Sequence, residues 1–166
     1  MRRTNNSSDL RPLVEALMAT IEPLDPQQAD VFINDAALIV MARLPSAEFS
    51  DERADMSAGL QALAGKLPAA TAQIIARSFV HELNMTSHNP YFRQFFAPGL
   101  EASVRRMEEP ALIELLKYRL CVEAAREIVL QELGRRRGQS FPTLWQFVSW
   151  AEQQSLPLDL RSPLRQ

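Results

Sequence analysis

The sequence predicts an all-α protein, a compact bundle of six or seven helices, and three observations carry that prediction. Apolar residues recur at helical spacing along most of the chain, no useful stretch alternates with period two, and there are only five glycines in 166 residues. A chain of this length buries roughly 70% of the surface its unfolded form exposes, so one core suffices without a disulfide or a metal. The expected organisation is a flexible N terminus over 1–8, one helical domain over 9–154 and a tail over 155–166.

The elements follow in order. Leu10, Leu13, Val14, Leu17 and Ile21 place a first helix over 9–21, with Ser8 as its cap. Asp25 before Pro26, with Gln28 three residues after the cap, gives the clearest helix start in the chain, because a proline at the first helical position lacks only an N–H that would have had no partner. That second helix reaches Arg43 and stops before Pro45, with Val31, Phe32, Leu38, Ile39 and Ala42 expected inward. A third helix begins after Ser50 and ends near Gly65 on a thin stripe of Ala54, Leu60, Leu63 and Ala64.

Pro68 opens a fourth helix that runs to about Ser87 through Ile74, Ile75, Phe79, Leu83 and Met85. Asn89-Pro90 repeats the cap-plus-proline start. A short aromatic turn, Tyr91-Phe92-Arg93-Gln94-Phe95-Phe96, follows it and is interrupted by Pro98-Gly99. The longest helix is expected over 110–133, burying Leu112, Ile113, Leu116, Leu120, Ala124, Ile128 and Leu133. Arg119 and Glu123 pair on its outer face, and Gly134 closes it. A last helix over 142–154 carries Leu144, Trp145, Phe147, Val148 and Ala151.

Composition narrows the function classes. Cys121 is the only cysteine, so no internal disulfide exists, and mid-helix beside Leu120 and Val122 it reads as a small buried hydrophobe. Met1-Arg2-Arg3 is followed by a polar run rather than a hydrophobic segment, and no apolar run approaches the ~18 residues of a membrane span. A cytoplasmic protein with no membrane partner is expected. Net charge is −2, but residues 22–55 hold eight acids against Arg43 and Arg53. Arginine supplies every positive charge except Lys66 and Lys117, a bias that fits a GC-rich bacterial genome. Phosphate loops, nucleophile elbows and zincin spacings are absent, so no cofactor is expected.

Four sets of residues remain as candidates. His81, Met85 and His88, at i, i+4 and i+7, share one helical face and could offer two imidazoles and a thioether to a metal. The plainer reading makes them packing and helix-end residues. Arg77, His81 and Glu82 would form an anion or acid–base pocket if Tyr91 and Arg93 fold back onto them. The loop Gly134-Arg135-Arg136-Arg137-Gly138, helped by Arg105, Arg106, Arg161 and Arg165, could contact nucleic-acid phosphates, or simply offset a helix dipole.

Trp145, Phe147 and Trp150 cannot all share one helical face, so one tryptophan is expected to point outward as an anchor for a partner chain, unless Leu156, Leu158 and Leu160 of the tail cover it. The function expected is therefore that of a non-enzymatic adaptor, accessory subunit or regulator that docks another protein. A nucleic-acid-associated subunit and a small metal-binding or acid–base enzyme are the alternatives.

Overall fold

In the computed structural model, residues 10–43, 50–85, 90–118, 122–154 and 156 are described, and every element among them is a helix. There are eight, not six or seven: α1 (Leu10–Ile21), α2 (Pro26–Arg43), α3 (Ser50–Ala64), α4 (Ala69–Met85), α5 (Pro90–Arg106), α6 (Glu109–Lys117), α7 (Glu123–Arg137) and α8 (Leu144–Gln153). Ser8, Cys121, Arg119, His88 and most of the tail lie outside the described residues. None of the described helices is long and apolar enough to cross a membrane.

The expected start of α2 is present. Asp25 Oδ1 accepts the backbone N–H groups of Gln27 and Gln28 at 2.9 and 3.1 Å, which satisfies two donors of the first turn. Its inward face, however, is Ile33, Ala37 and Val40 rather than the expected set. Val31, Phe32, Ile39 and Ala42 face solvent, and Leu38 is half-buried. Both sets recur at helical spacing, so periodicity could not choose between them; the choice fell to α3 and α4, the helices against which α2 chiefly packs. Buried Thr71 on α4 donates its hydroxyl to Asn34 Oδ1, fixing that orientation.

The core is one cluster to which every helix contributes except α8's outer side. On α3, Leu60, Leu63 and Ala64 are buried as expected, and on α4 so are Ile75, Phe79 and Leu83, while Ile74 and Met85 are exposed. The largest correction concerns α5. Pro98 and Gly99 do not interrupt it; the aromatic turn is the first part of a helix that continues to Arg106. A proline in a helix interior removes one backbone bond and crowds the preceding turn. Here a buried stripe of Phe96, Leu100, Ser103 and Val104 spans the proline, and tertiary burial outweighs local propensity.

Gly99 has a separate reason to be glycine. A Cβ at this position would stand 2.2 Å from Cζ of Phe79, so α5 lies directly on the face of that ring. The rings of Phe79 and Phe96 sit 6.4 Å apart in a tilted pair beside it.

The expected long helix over 110–133 is two helices. α6 ends at Lys117, Tyr118 is extended, and α7 restarts after an extended Val122. At 100° per residue, the buried residues of α6 (Leu112, Leu115, Leu116) and the buried apolar residues of α7 (Ala125, Ile128, Val129, Leu130, Leu133) centre roughly a quarter of a turn apart. One continuous helix could not bury both, and the break re-phases them. Gly134 does not close α7: the helix runs through it to Arg137, and Gly138 ends it in the left-handed conformation at φ 63°. The N–H of Gln139 then bonds the carbonyl of Gly134 at 2.9 Å, an approach that a Cβ on residue 134 would block. α8 begins with a capping box in which Thr143 and Gln146 exchange bonds.

Substituting Gly99→Ala should destabilise the protein by about 1–3 kcal/mol through overpacking, despite alanine's better helix propensity. For a chain of this length that is a melting-temperature drop of roughly 3–10 °C by thermal denaturation. Combined with Phe79→Leu, its cost should be smaller than in the parent background. Strictly additive losses would show that the ring does not limit the approach.

Candidate functional site

The arginine cluster is a set of fasteners on the last turn of α7, not a mobile loop. Glu132, one turn earlier, is only 5% exposed and receives both Arg135 (2.8 and 2.7 Å) and Arg136 (2.6 Å). Arg136 also donates to the carbonyls of Val104 and Arg105 at 3.0 and 3.2 Å, capping the end of α5. Arg137 pairs with Glu109 of α6 and lies 5.6 Å from the centre of the Trp150 ring. Arg106 donates to the carbonyl of Leu67 at 3.1 Å, and Arg105 is within 3.8 Å of Glu101. All five arginines of the nucleic-acid candidate are thus engaged within the protein. Arg161 and Arg165 lie outside the described residues.

Burial by itself would raise the Glu132 carboxyl, but hydrogen bonds and charge from Arg135 and Arg136 outweigh it and hold the group below the usual carboxylate range. The same bond raises Arg135, and Glu109 likewise raises Arg137.

His81 and Met85 are both exposed on α4, and His88 lies outside the described residues. No group of three His, Cys, Asp or Glu side chains among the described residues is arranged to hold a metal ion. The Arg77–His81–Glu82 set does line a groove of about 340 Å³, whose other described walls are Met41, Ile74, Ser78 and Tyr118; the Tyr91 side chain lies outside the described residues. Arg93 is instead paired with Glu127 of α7 at 3.1 Å. Arg77 is the one arginine, among the described side chains, with no hydrogen bond or ion pair. The groove is open and shallow, and Glu82 is buried behind its surface.

The C-terminal aromatics separate cleanly. Phe147 is buried. Trp150 is half-buried, with its ring centre 5.2 Å from that of Phe141 and 6.1 Å from that of Phe147. Both hold α8 against the end of α7. Trp145 is 75% exposed and is the tryptophan that points outward. Leu156 is half-buried, its N–H bonded to the carbonyl of Ala151 at 3.0 Å; Leu158 and Leu160 lie outside the described residues.

A further surface escaped the sequence reading because its residues were assigned to the core. On α2, Val31 (59%), Phe32 (52%) and Ile39 (60%) are exposed. Val31 and Ile39 are eight residues apart and Phe32 and Ile39 seven, so all three occupy one side of the helix. Ile74 on neighbouring α4 is exposed as well. The signal available beforehand was that large apolar residues recur on both sides of α2, which for a helix packed on one side only leaves apolar residues in water. No family model, curated protein or solved structure matches the chain.

Two outcomes follow. Because Glu132 ionises more readily in the folded protein than in the unfolded chain, its stabilisation is complete above about pH 4.5 and is lost as pH falls through its depressed native value. Glu132→Gln should cost about 1–3 kcal/mol at neutral pH, and its deficit in urea unfolding should shrink on acidification. A deficit that does not change with pH would contradict the charge assignment. Trp150→Ala should cost roughly 2–4 kcal/mol, and Trp145→Ala less than about 0.5 kcal/mol; thermal melts of the two variants check the contrast.

Proposed function

We propose that this protein acts by docking another protein chain, with the outer face of α2 as its principal contact surface. The observation that carries the reading is the exposure of Val31, Phe32 and Ile39 to half or more of their full area on one side of one helix. Burying a side chain of this size is worth about 1.5–3 kcal/mol. Three together supply a useful share of a binding free energy, after the cost of association is met. Single exposed apolar residues are ordinary; a co-facial set on one helix marks an interaction surface.

Trp145 is a second contact point in this reading, since its ring projects from α8 with little of it covered. Trp150 and Phe147 serve the internal packing of α8 and leave the contact set. The nucleic-acid alternative draws no support from guanidinium groups already bonded to Glu132, Glu109, Glu101 and backbone carbonyls. The acid–base alternative rests only on the open groove beside Arg77 and His81.

The test is site-specific photo-crosslinking in the native cell, with a benzophenone side chain placed in turn at Phe32, Ile39, Trp145 and, as a control, exposed Glu114 on α6. A discrete crosslinked protein from positions 32 and 39, absent from 114, is expected. Val31→Ser with Phe32→Ser should abolish the product at 39 while leaving the melting temperature within about 2 °C. No product at 32 or 39 from a well-expressed protein would refute the α2 surface, and products at 145 alone would move the interface to α8.

A further inference from the structure

We infer that the partner presents a basic amphipathic helix to α2; the inference rests on the docking reading above and adds the chemistry of the occupant. Between Arg11 and Arg43 the chain carries Glu15, Glu22, Asp25, Asp30 and Asp35, and no lysine, arginine or histidine at all. Glu22, Asp25, Asp30 and Asp35 are exposed, and none of the four forms an ion pair among the described residues. Asp35 stands four residues from both Val31 and Ile39, inside the apolar stripe itself. The surface is therefore apolar at its centre, with Asp35 within it and Asp25 at its N-terminal end, and no described basic side chain forms an ion pair with either.

That pattern discriminates among occupants. An 18-residue helix presents a straight ridge about 27 Å long, and side chains at i, i+3, i+4 and i+7 of a second helix lie along such a ridge. Lysine or arginine flanking the partner's apolar stripe would meet Asp35 within the stripe and Asp25 at its N-terminal end, gaining attraction and faster encounter. A second copy of this chain meets the opposite situation: in a two-fold pairing of α2 with itself the acids of one copy face those of the other. An anionic lipid surface is repelled by the same carboxylates. Arg105, Arg106, Arg135, Arg136 and Arg137 are engaged within the protein, whereas Asp35 has no ion pair among the described residues. Arg77, across the groove on α4, bounds the negative surface on that side.

The experiment is fluorescence anisotropy on the full chain with two labelled model peptides of 18 residues, matched in leucine pattern at helical period, one carrying lysine and one glutamate at its polar positions. The lysine peptide should bind at least about tenfold more tightly than its twin, a difference of about 1.4 kcal/mol. Its affinity should fall severalfold when salt is raised from about 0.05 to 0.5 M. Phe32→Ser and Asp35→Lys should each weaken it about fivefold or more, and Glu114→Gln should not.

Equal binding of both peptides, binding indifferent to Asp35→Lys, or no binding would overturn the basic-helix assignment. Sedimentation that reveals a dimer dissolved by Phe32→Ser would replace it with self-association, and preference for phosphatidylserine vesicles would replace it with a membrane. The two readings fail separately: crosslinks at 32 and 39 with no lysine-peptide preference remove only the charge inference, and silence at both crosslinking positions removes the docking surface itself.

Discussion

The backbone of α5 approaches the ring of Phe79 more closely than any side chain at residue 99 would allow, and much of the remaining architecture is arranged about it. With no side chain at residue 99, the backbone of α5 rests on the aromatic face, and the fully buried Phe96 and Leu100 on either side interlock with α4. α5 can then pack against α3, α4 and α7 at once, as the strut between the two halves of the chain. The seating also accounts for the helix continuing through Pro98. A proline inside a helix costs about 3 kcal/mol or more, and the burial of Phe96, Leu100 and Val104 on one face, at about 1.5–3 kcal/mol each, outweighs that loss.

The second half of the chain shares the apolar core with that strut and is also fastened to it by polar contacts. Glu132 gathers Arg135 and Arg136, and Arg136 continues to two carbonyls at the end of α5, where unpaired acceptors would otherwise face the interior. Each charge in the network has a partner, which is the condition under which a buried carboxylate is tolerated. Three consecutive arginines in sequence thus point three ways: to Glu132, to α5, and to α6 with α8. The positive charge also falls in the last turn of α7, where it opposes the helix dipole. A run that suggests a nucleic-acid contact on composition alone is absorbed by the fold.

α2 lies outside this framework. It covers the core with Ile33, Ala37 and Val40 and is tied to α4 by the Thr71–Asn34 bond, while its other side is equally apolar and in water. Exposed apolar area of this kind has a cost in solubility, and the uncompensated carboxylates along the same helix counter it. This combination of exposed apolar and acidic residues on one helix is what the docking proposal rests on.

The all-helical class was fixed by local physics: helical spacing, the Asp25-Pro26 start and the scarcity of glycine act over a few residues and needed no tertiary information. The first four helices fall within a residue or two of their expected bounds for that reason. The stripe drawn for the expected long helix, from Leu112 through Leu120 to Leu133, drifts around the helix, and that drift was a legible sign of the break at Tyr118–Val122. Other features were not written locally. Which side of α2 turns inward depended on where α3 and α4 stand, because both sides are apolar. Whether Pro98 ends a helix depended on what its neighbours bury. Whether Arg135–Arg137 are free depended on Glu132, Glu109 and the end of α5, the last two brought near by folding. Sequence determined which segments are helical because hydrogen bonds within a helix are local; tertiary structure decided which of their faces remain available, because burial is settled only between segments distant in the chain.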